Sequence, residues 1–129
     1  MKRDDANAPV TAPAPILSLN GLSVRLPRNA DRTHAIVDVS LALAPNEILC
    51  VVGESGSGKS MTSSAIMRLL PTGVSADSGS IVFDGRDLLT LSEAQMRQVR
   101  GAQIAMVFQE PMTALNPLHT VGKQIGEMF

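Results

Sequence analysis

"VVGESGSGKSMTSS", Val51 to Ser64, decides the fold of this 129-residue chain. Gly53, Gly58, Lys59 and Ser60 fit the spacing G-x-x-x-x-G-K-[ST]. Glycines at these positions let successive backbone N–H groups turn inward around a phosphate, where side chains would block its approach. The helix that follows points its positive end at the same place. Lys59 adds a full charge able to reach the terminal phosphates, and Ser60 supplies a hydroxyl for Mg2+. The candidate nucleotide-binding set is therefore Gly53, Glu54, Ser55, Gly56, Ser57, Gly58, Lys59, Ser60 and Met61. The alternative is a flexible Gly/Ser turn that matches by accident, which for ordinary composition happens on the order of once in a few hundred chains of this length. An apolar run before the loop and an amphipathic stretch after it argue against accident.

Working outward, "EILCVV" before the loop is continuously apolar, as in a strand covered on both faces. Lys59 to Leu70 has Met61, Ala65, Ile66, Leu69 and Leu70 on one helical side, with Pro71 and Gly73 to end it. Strand, glycine loop and helix thus follow in order. Upstream, "ILSLNGLSVRL" (16–26) and "AIVDVSLAL" (35–43) read as antiparallel strands, the second with Ala35, Val37, Val39, Leu41 and Leu43 on its buried face. Downstream, "GSIVFDGRDL" gives a strand with an Asp84-Gly85 turn. Ser92 and Gln95 have capping-box spacing, Leu91 and Met96 can staple the same helix, and Gly101 can end it. "QIAMVFQ", Gln103 to Gln109, reads as a second apolar strand, and the proline-bounded "EPMTALNP" as a break after it. "VGKQIGEMF" begins a further helix.

Composition bounds the remaining possibilities. A net charge of −1 and a pI near 6.1 lack the basic excess of nucleic-acid-binding domains, so no nucleic-acid partner is expected. Residues 1–15 read as a disordered leader rich in proline, without a secretory apolar region. No apolar run approaches the roughly 18–20 residues of a spanning helix. Cys50, the only cysteine, reads as a buried structural thiol. His34 and His119 lack metal-ligand spacing and read as surface histidines.

The loop by itself suits a small-molecule kinase, a GTPase or a transport ATPase. Three segments narrow the choice: "GESGSGKS", "SGSIVFDGRDLLTLSEAQMRQVRG" and "IAMVFQEPMTALNPLHTVGKQIGE". Together they closely resemble the ATP-binding subunits of ABC transporters, in the oligopeptide and dipeptide importer group that includes nickel and glutathione importers. Glu54 after the first glycine and the run "FQEPMTALNP" carry the subgroup. The resemblance implies an α/β P-loop NTPase core with an antiparallel β subdomain over residues 16–129, bearing Walker A and the Q-loop and truncated after the latter. It makes Gln109 the Q-loop glutamine, a catalytic and Mg2+-directed residue, with Ser60 the other metal-directed one. ATP and Mg2+ are the implied cofactors. The implied partners are membrane-spanning subunits, a second ATP-binding subunit and, indirectly, an extracytoplasmic solute-binding protein, at the cytoplasmic face of the membrane.

The family's ATP hydrolysis also requires a signature motif, a Walker B strand with its Glu and a switch His, none of which this sequence contains. A non-catalytic module that pairs with an intact subunit is therefore an alternative, and a P-loop kinase a more distant one. The position where the family stacks adenine on an aromatic residue aligns with Leu26. The family's two strands between the phosphate-loop strand and the Q-loop strand have no counterpart, so Val51, Val52, Ile104 and Val107 are expected to lack cover.

Overall fold

The computed structural model describes residues 13–109 and 115–127. Most of the leader, the Glu110–Ala114 part of the break and the last two residues lie outside them. Two long strands, β1 (Leu17–Arg25) and β2 (His34–Leu43), pair antiparallel, and β3 (Ser75–Phe83) pairs antiparallel with the other edge of β1. A two-residue strand, β4 (Arg86–Asp87), completes a sheet of order β2-β1-β3-β4. Helix α1 (Lys59–Ile66) follows the glycine loop, α2 (Glu93–Val99) follows the sheet, and α3 (Val121–Gly126) lies near the end of the chain with no buried residue.

The locally specified features form as expected. Asp84 and Gly85 turn β3 into β4 with φ of 47° and 73°, the left-handed pair that a two-residue hairpin demands. Ser92 Oγ accepts from the Gln95 N–H while Gln95 Oε1 accepts from the Ser92 N–H, closing the capping box. Leu91 and Met96 both pack into the core. That core joins Leu19, Leu22 and Val24 of β1 to Ile36, Ala65, Ile81, Leu88, Met96 and Val99.

Strict alternation along β2 is corrected. Ile36 is buried and Val37 is 68% exposed, although alternation placed Val37 inside. The cause is a slip of register: Val24 pairs with Ile36 and Leu22 with Val39, so Asp38 is extra and takes φ 51°. β1 and β3 slip on the same line, with Gly21 at φ 59° and Gly79 at φ 89°. Backbone donors freed by these slips find side-chain acceptors. Ser40 Oγ takes the Gly21 N–H at 2.8 Å, and Ser23 Oγ takes the Asp38 N–H at 3.0 Å. β3 also starts at Ser75, four residues before the Gly79 at which its sequence pattern begins.

α1 ends at Ile66, short of the expected Leu70. Arg68 turns left-handed (φ 51°), with Arg68 N–H on Ala65 O and Leu69 N–H on Ser64 O, so a Schellman motif closes the helix without glycine. Two arginines hold this end. Arg68 donates to the carbonyls of Leu88 and Leu91. Arg100 donates through Nε to Met67 O at 2.8 Å, through Nη2 to Arg68 O at 3.1 Å, and through Nη1 to Glu93. The Arg100 hydrogen bond holds the Glu93 carboxyl below its usual value. Its contribution is thus present above the ordinary carboxylate range and fades as pH falls through the lowered value. Arg100→Ala leaves two sheltered carbonyls without donors and is expected to cost about 1–3 kcal/mol, read as an earlier urea midpoint followed by circular dichroism. Arg100→Lys recovers less than half, because an ammonium cannot span the same fork.

The two apolar runs differ most from expectation. Neither Glu47–Val52 nor Gln103–Gln109 forms a ladder; only an isolated bridge, Arg100 with Ile104, touches the second. Extended backbone becomes a strand only when a neighbour takes its donors and acceptors, and among the described residues none does. Ile48, Val52 and Val107 are 95%, 88% and 96% exposed, Val51 is also exposed, and so is Cys50, which corrects its assignment as a buried thiol. Ile104 is the exception to the expected lack of cover: its bridge to Arg100 sets it half-buried against the core.

Candidate functional site

The glycine loop lies between the end of the β1–β2 pair and α1. Its first turn is closed by the Ser57 N–H on Glu54 O at 3.2 Å. Gly58 stands at φ 98°, and a Cβ there would lie 2.2 Å from Ile36 Cγ2, a buried atom of β2. Glycine at this position therefore serves both backbone handedness and close packing on the sheet. A Cβ on Gly53 would approach Ser57 Oγ to 2.7 Å. These two glycines set the curvature of the loop.

At the start of α1 no side chain caps the helix and no acidic residue stands in the first turn. The N–H groups of Lys59, Ser60 and Met61 precede the first intrahelical bond, which is Thr62 N–H on Gly58 O at 2.8 Å. Lys59, Ser60 and Met61 line one cleft at this positive helix end. Lys59 Nζ folds back into the loop, donating to Gly53 O and Glu54 O at 2.6 Å each and to Ser57 Oγ at 3.2 Å. All three acceptors are neutral, so the charge of Lys59 is held by the loop without being neutralised.

A cleft of about 440 Å³ opens at this point, walled by Ser55, Gly56, Gly58, Lys59, Ser60 and Met61 together with Arg32, Ala35 and Gln109. Gln109 stands 49 positions after Ser60 in sequence, yet both line this cleft and a second, larger one beside it. The second cleft, about 690 Å³, is mainly apolar, walled by Leu17, Leu41, Leu43, Val51, Met106 and Phe108 among others. Among the described residues no group of three or more His, Cys, Asp or Glu gathers as a metal centre. A hydroxyl at Ser60 and an amide oxygen at Gln109 are neutral hard donors. They suit a Mg2+ whose remaining ligands are phosphate oxygens and water.

Arg32 was not singled out by sequence reasoning. It lies in the β1–β2 loop, 21 positions before Gly53, and its Nη2 reaches Gly56 O at 3.4 Å. Leu26 falls elsewhere: its N–H bonds Thr33 O, and it lines a separate loop cavity of about 310 Å³. His34 is half-buried and, with Arg25, engages Asp77 of β3. The Asp77 carboxyl is held below its usual value, first by the Arg25 hydrogen bond and then by that of His34.

Comparison with known proteins gives the chain's relatives. The sequence profile of the family described as "ABC transporter" matches residues 36–128. The "Peptidoglycan transport ATP-binding protein YejF" of Agrobacterium fabrum is 52% identical over 116 residues, which are 89% of this chain and 21% of that protein. The "Putative peptide import ATP-binding protein BOV_A0348" of Brucella ovis is 49% identical over 119 residues, 88% of this chain and 35% of that protein. The chain thus spans between about a fifth and about a third of the length of these relatives. Among solved structures, a bacterial Atm1-family ABC exporter with ATP bound superposes with a TM-score of 0.53 at 25% identity, covering 74% of this chain and 16% of that one.

Proposed function

The chain belongs to the ABC transporter family, and from that premise we propose that it binds ATP with Mg2+ at Gly53–Met61 and serves the import of peptides or related small solutes. The convergence of Lys59, Ser60 and Gln109 on one cleft with the glycine loop carries this proposal. The backbone N–H groups from Glu54 to Met61 hold the phosphates. Lys59 leaves its neutral carbonyls for the anionic β- and γ-oxygens, because a hydrogen bond between two charged partners is the stronger one. Ser60 and Gln109 hold Mg2+, which when bound neutralises charge on the terminal phosphates. Gln109 also orients water toward the γ-phosphate.

In the longer relatives' arrangement, ATP hydrolysis would drive transport at the cytoplasmic face of the membrane. Membrane-spanning subunits and a second ATP-binding subunit would be the partners, with an extracytoplasmic solute-binding protein delivering the solute. No described helix is long and apolar enough to cross a membrane. No Asp or Glu among the described residues lines the phosphate cleft, which favours, as a second possibility, a binding module that pairs with a catalytic subunit. Calorimetric titration with ATP, with and without Mg2+, tests the site. Ser60→Ala is expected to weaken Mg-ATP about tenfold, the scale of one hydrogen bond or ligand to a charged partner, and to leave metal-free ATP unchanged. Equal loss in both would remove Ser60 from the metal. Release of phosphate by the protein alone would favour the complete ATPase over the module, and transfer to an acceptor would indicate a kinase.

A further inference from the structure

Granting the nucleotide site proposed above, we infer that Arg32 grips the nucleoside half of the ligand, its guanidinium plane lying against the base where no Trp, Tyr or Phe among the described residues lines either the phosphate cleft or the loop cavity at Leu26. The chain has no Trp or Tyr, and among the described residues neither Phe83 nor Phe108 lines the phosphate cleft. The planar side chains that do line it are Gln109 and Arg32. Gln109 shares its neighbours with Ser60 and faces the metal end. Arg32 reaches Gly56, at the crest of the loop.

Among the described residues Arg32 alone lines both the phosphate cleft and the loop cavity formed by Leu26, Pro27, Arg28, Thr33 and their neighbours. A ligand anchored by its phosphates in the first and extending toward the second must pass its guanidinium. The other basic side chains lining that cavity are differently placed. Arg25 of β1 and His34 of β2 engage Asp77, and Arg28 lines the loop cavity but not the phosphate cleft. Arg32 is exposed, and among the described residues no carboxylate lies within salt-bridge distance of it. Its one hydrogen bond among the described residues, 3.4 Å to a neutral carbonyl, is long and readily exchanged for a ligand. A guanidinium stacks on aromatic faces and is more weakly hydrated than an ammonium, so it can cover a base at small desolvation cost.

The test is calorimetry with two probes, Mg-ATP and Mg-tripolyphosphate, on the wild-type protein, Arg32→Ala and Arg32→Lys. Arg32→Ala is expected to weaken Mg-ATP about five- to tenfold, the range of a partly desolvated cation–π contact, while tripolyphosphate stays within about twofold. Arg32→Lys is expected to restore less than half of the loss. Equal loss for both probes, with rescue by lysine, would make Arg32 a phosphate contact and overturn the proposal. Unchanged Mg-ATP affinity in Arg32→Ala would overturn it as well. A wild-type protein that binds neither probe would instead refute the nucleotide site itself, together with everything built on it.

Discussion

Lys59→Ala is expected to lower the affinity for Mg-ATP by at least about 100-fold, because hydrogen bonds to charged groups are worth about 1.5–3 kcal/mol and Lys59 can make two with the β- and γ-oxygens. The loss falls on binding and spares the fold. Nζ now donates to Gly53 O, Glu54 O and Ser57 Oγ, and all three residues are exposed, so water replaces the ammonium at each acceptor. The circular dichroism spectrum and urea midpoint of the variant should therefore match those of the wild type while its titration with Mg-ATP flattens. Tripolyphosphate should weaken in parallel, in contrast to the behaviour expected of Arg32→Ala. Undiminished affinity in Lys59→Ala would mean that the triphosphate sits elsewhere.

Gly79→Ala is expected to be the most damaging single substitution in the sheet. An added Cβ would stand 2.5 Å from Gly21 O and 2.6 Å from Asn20 O and Gly21 C, all backbone atoms of the neighbouring strand. It would also sit at φ 89°, where an L-residue is strained by roughly 1–2 kcal/mol before any clash. No rotamer can relieve contacts of this kind. β1 and β3 must separate, and the total cost is at least about 3 kcal/mol of a net stability that is typically about 5–15 kcal/mol. For a chain of this size the thermal midpoint should fall by roughly 10–20 °C. Gly85→Ala is the control: φ there is 73°, but nothing lies within 4 Å of the added carbon, so only the strain of about 1 kcal/mol remains. Equal shifts in the two variants would show that backbone handedness alone, and not strand packing, requires glycine at position 79.

The features legible in sequence share one property: each is closed within a few residues. The capping box joins positions 92 and 95, the hairpin turn occupies 84 and 85, and the phosphate loop with the start of α1 spans 53 to 61. Gln109 needed more, since an amide at the end of an apolar run is unremarkable alone. Only its flanking match to a family singled it out, and the fold then set it in the cleft with Ser60. Arg32 carried no such signal, because its neighbours along the chain are loop residues and its role rests on Gly56, 24 positions away.

The amino-acid sequence by itself determined the phosphate loop, the helix it opens, the capped α2 and the tight β3–β4 turn, because short-range sterics and side-chain-to-backbone hydrogen bonds settle these before any tertiary contact forms. Tertiary structure alone decided where the strands slip, since the slips near Gly21, Asp38 and Gly79 lie beside one another across three strands and are defined only by which residues pair between strands. It also decided that α1 stops at a left-handed Arg68, whose guanidinium and that of Arg100 bind carbonyls 20 to 33 positions distant. The apolar runs around Leu49 and Met106 have strand composition, yet among the described residues they form no ladder. Composition specifies which surface a segment can bury, whereas a ladder needs a neighbouring backbone, and that neighbour is a property of the assembled fold.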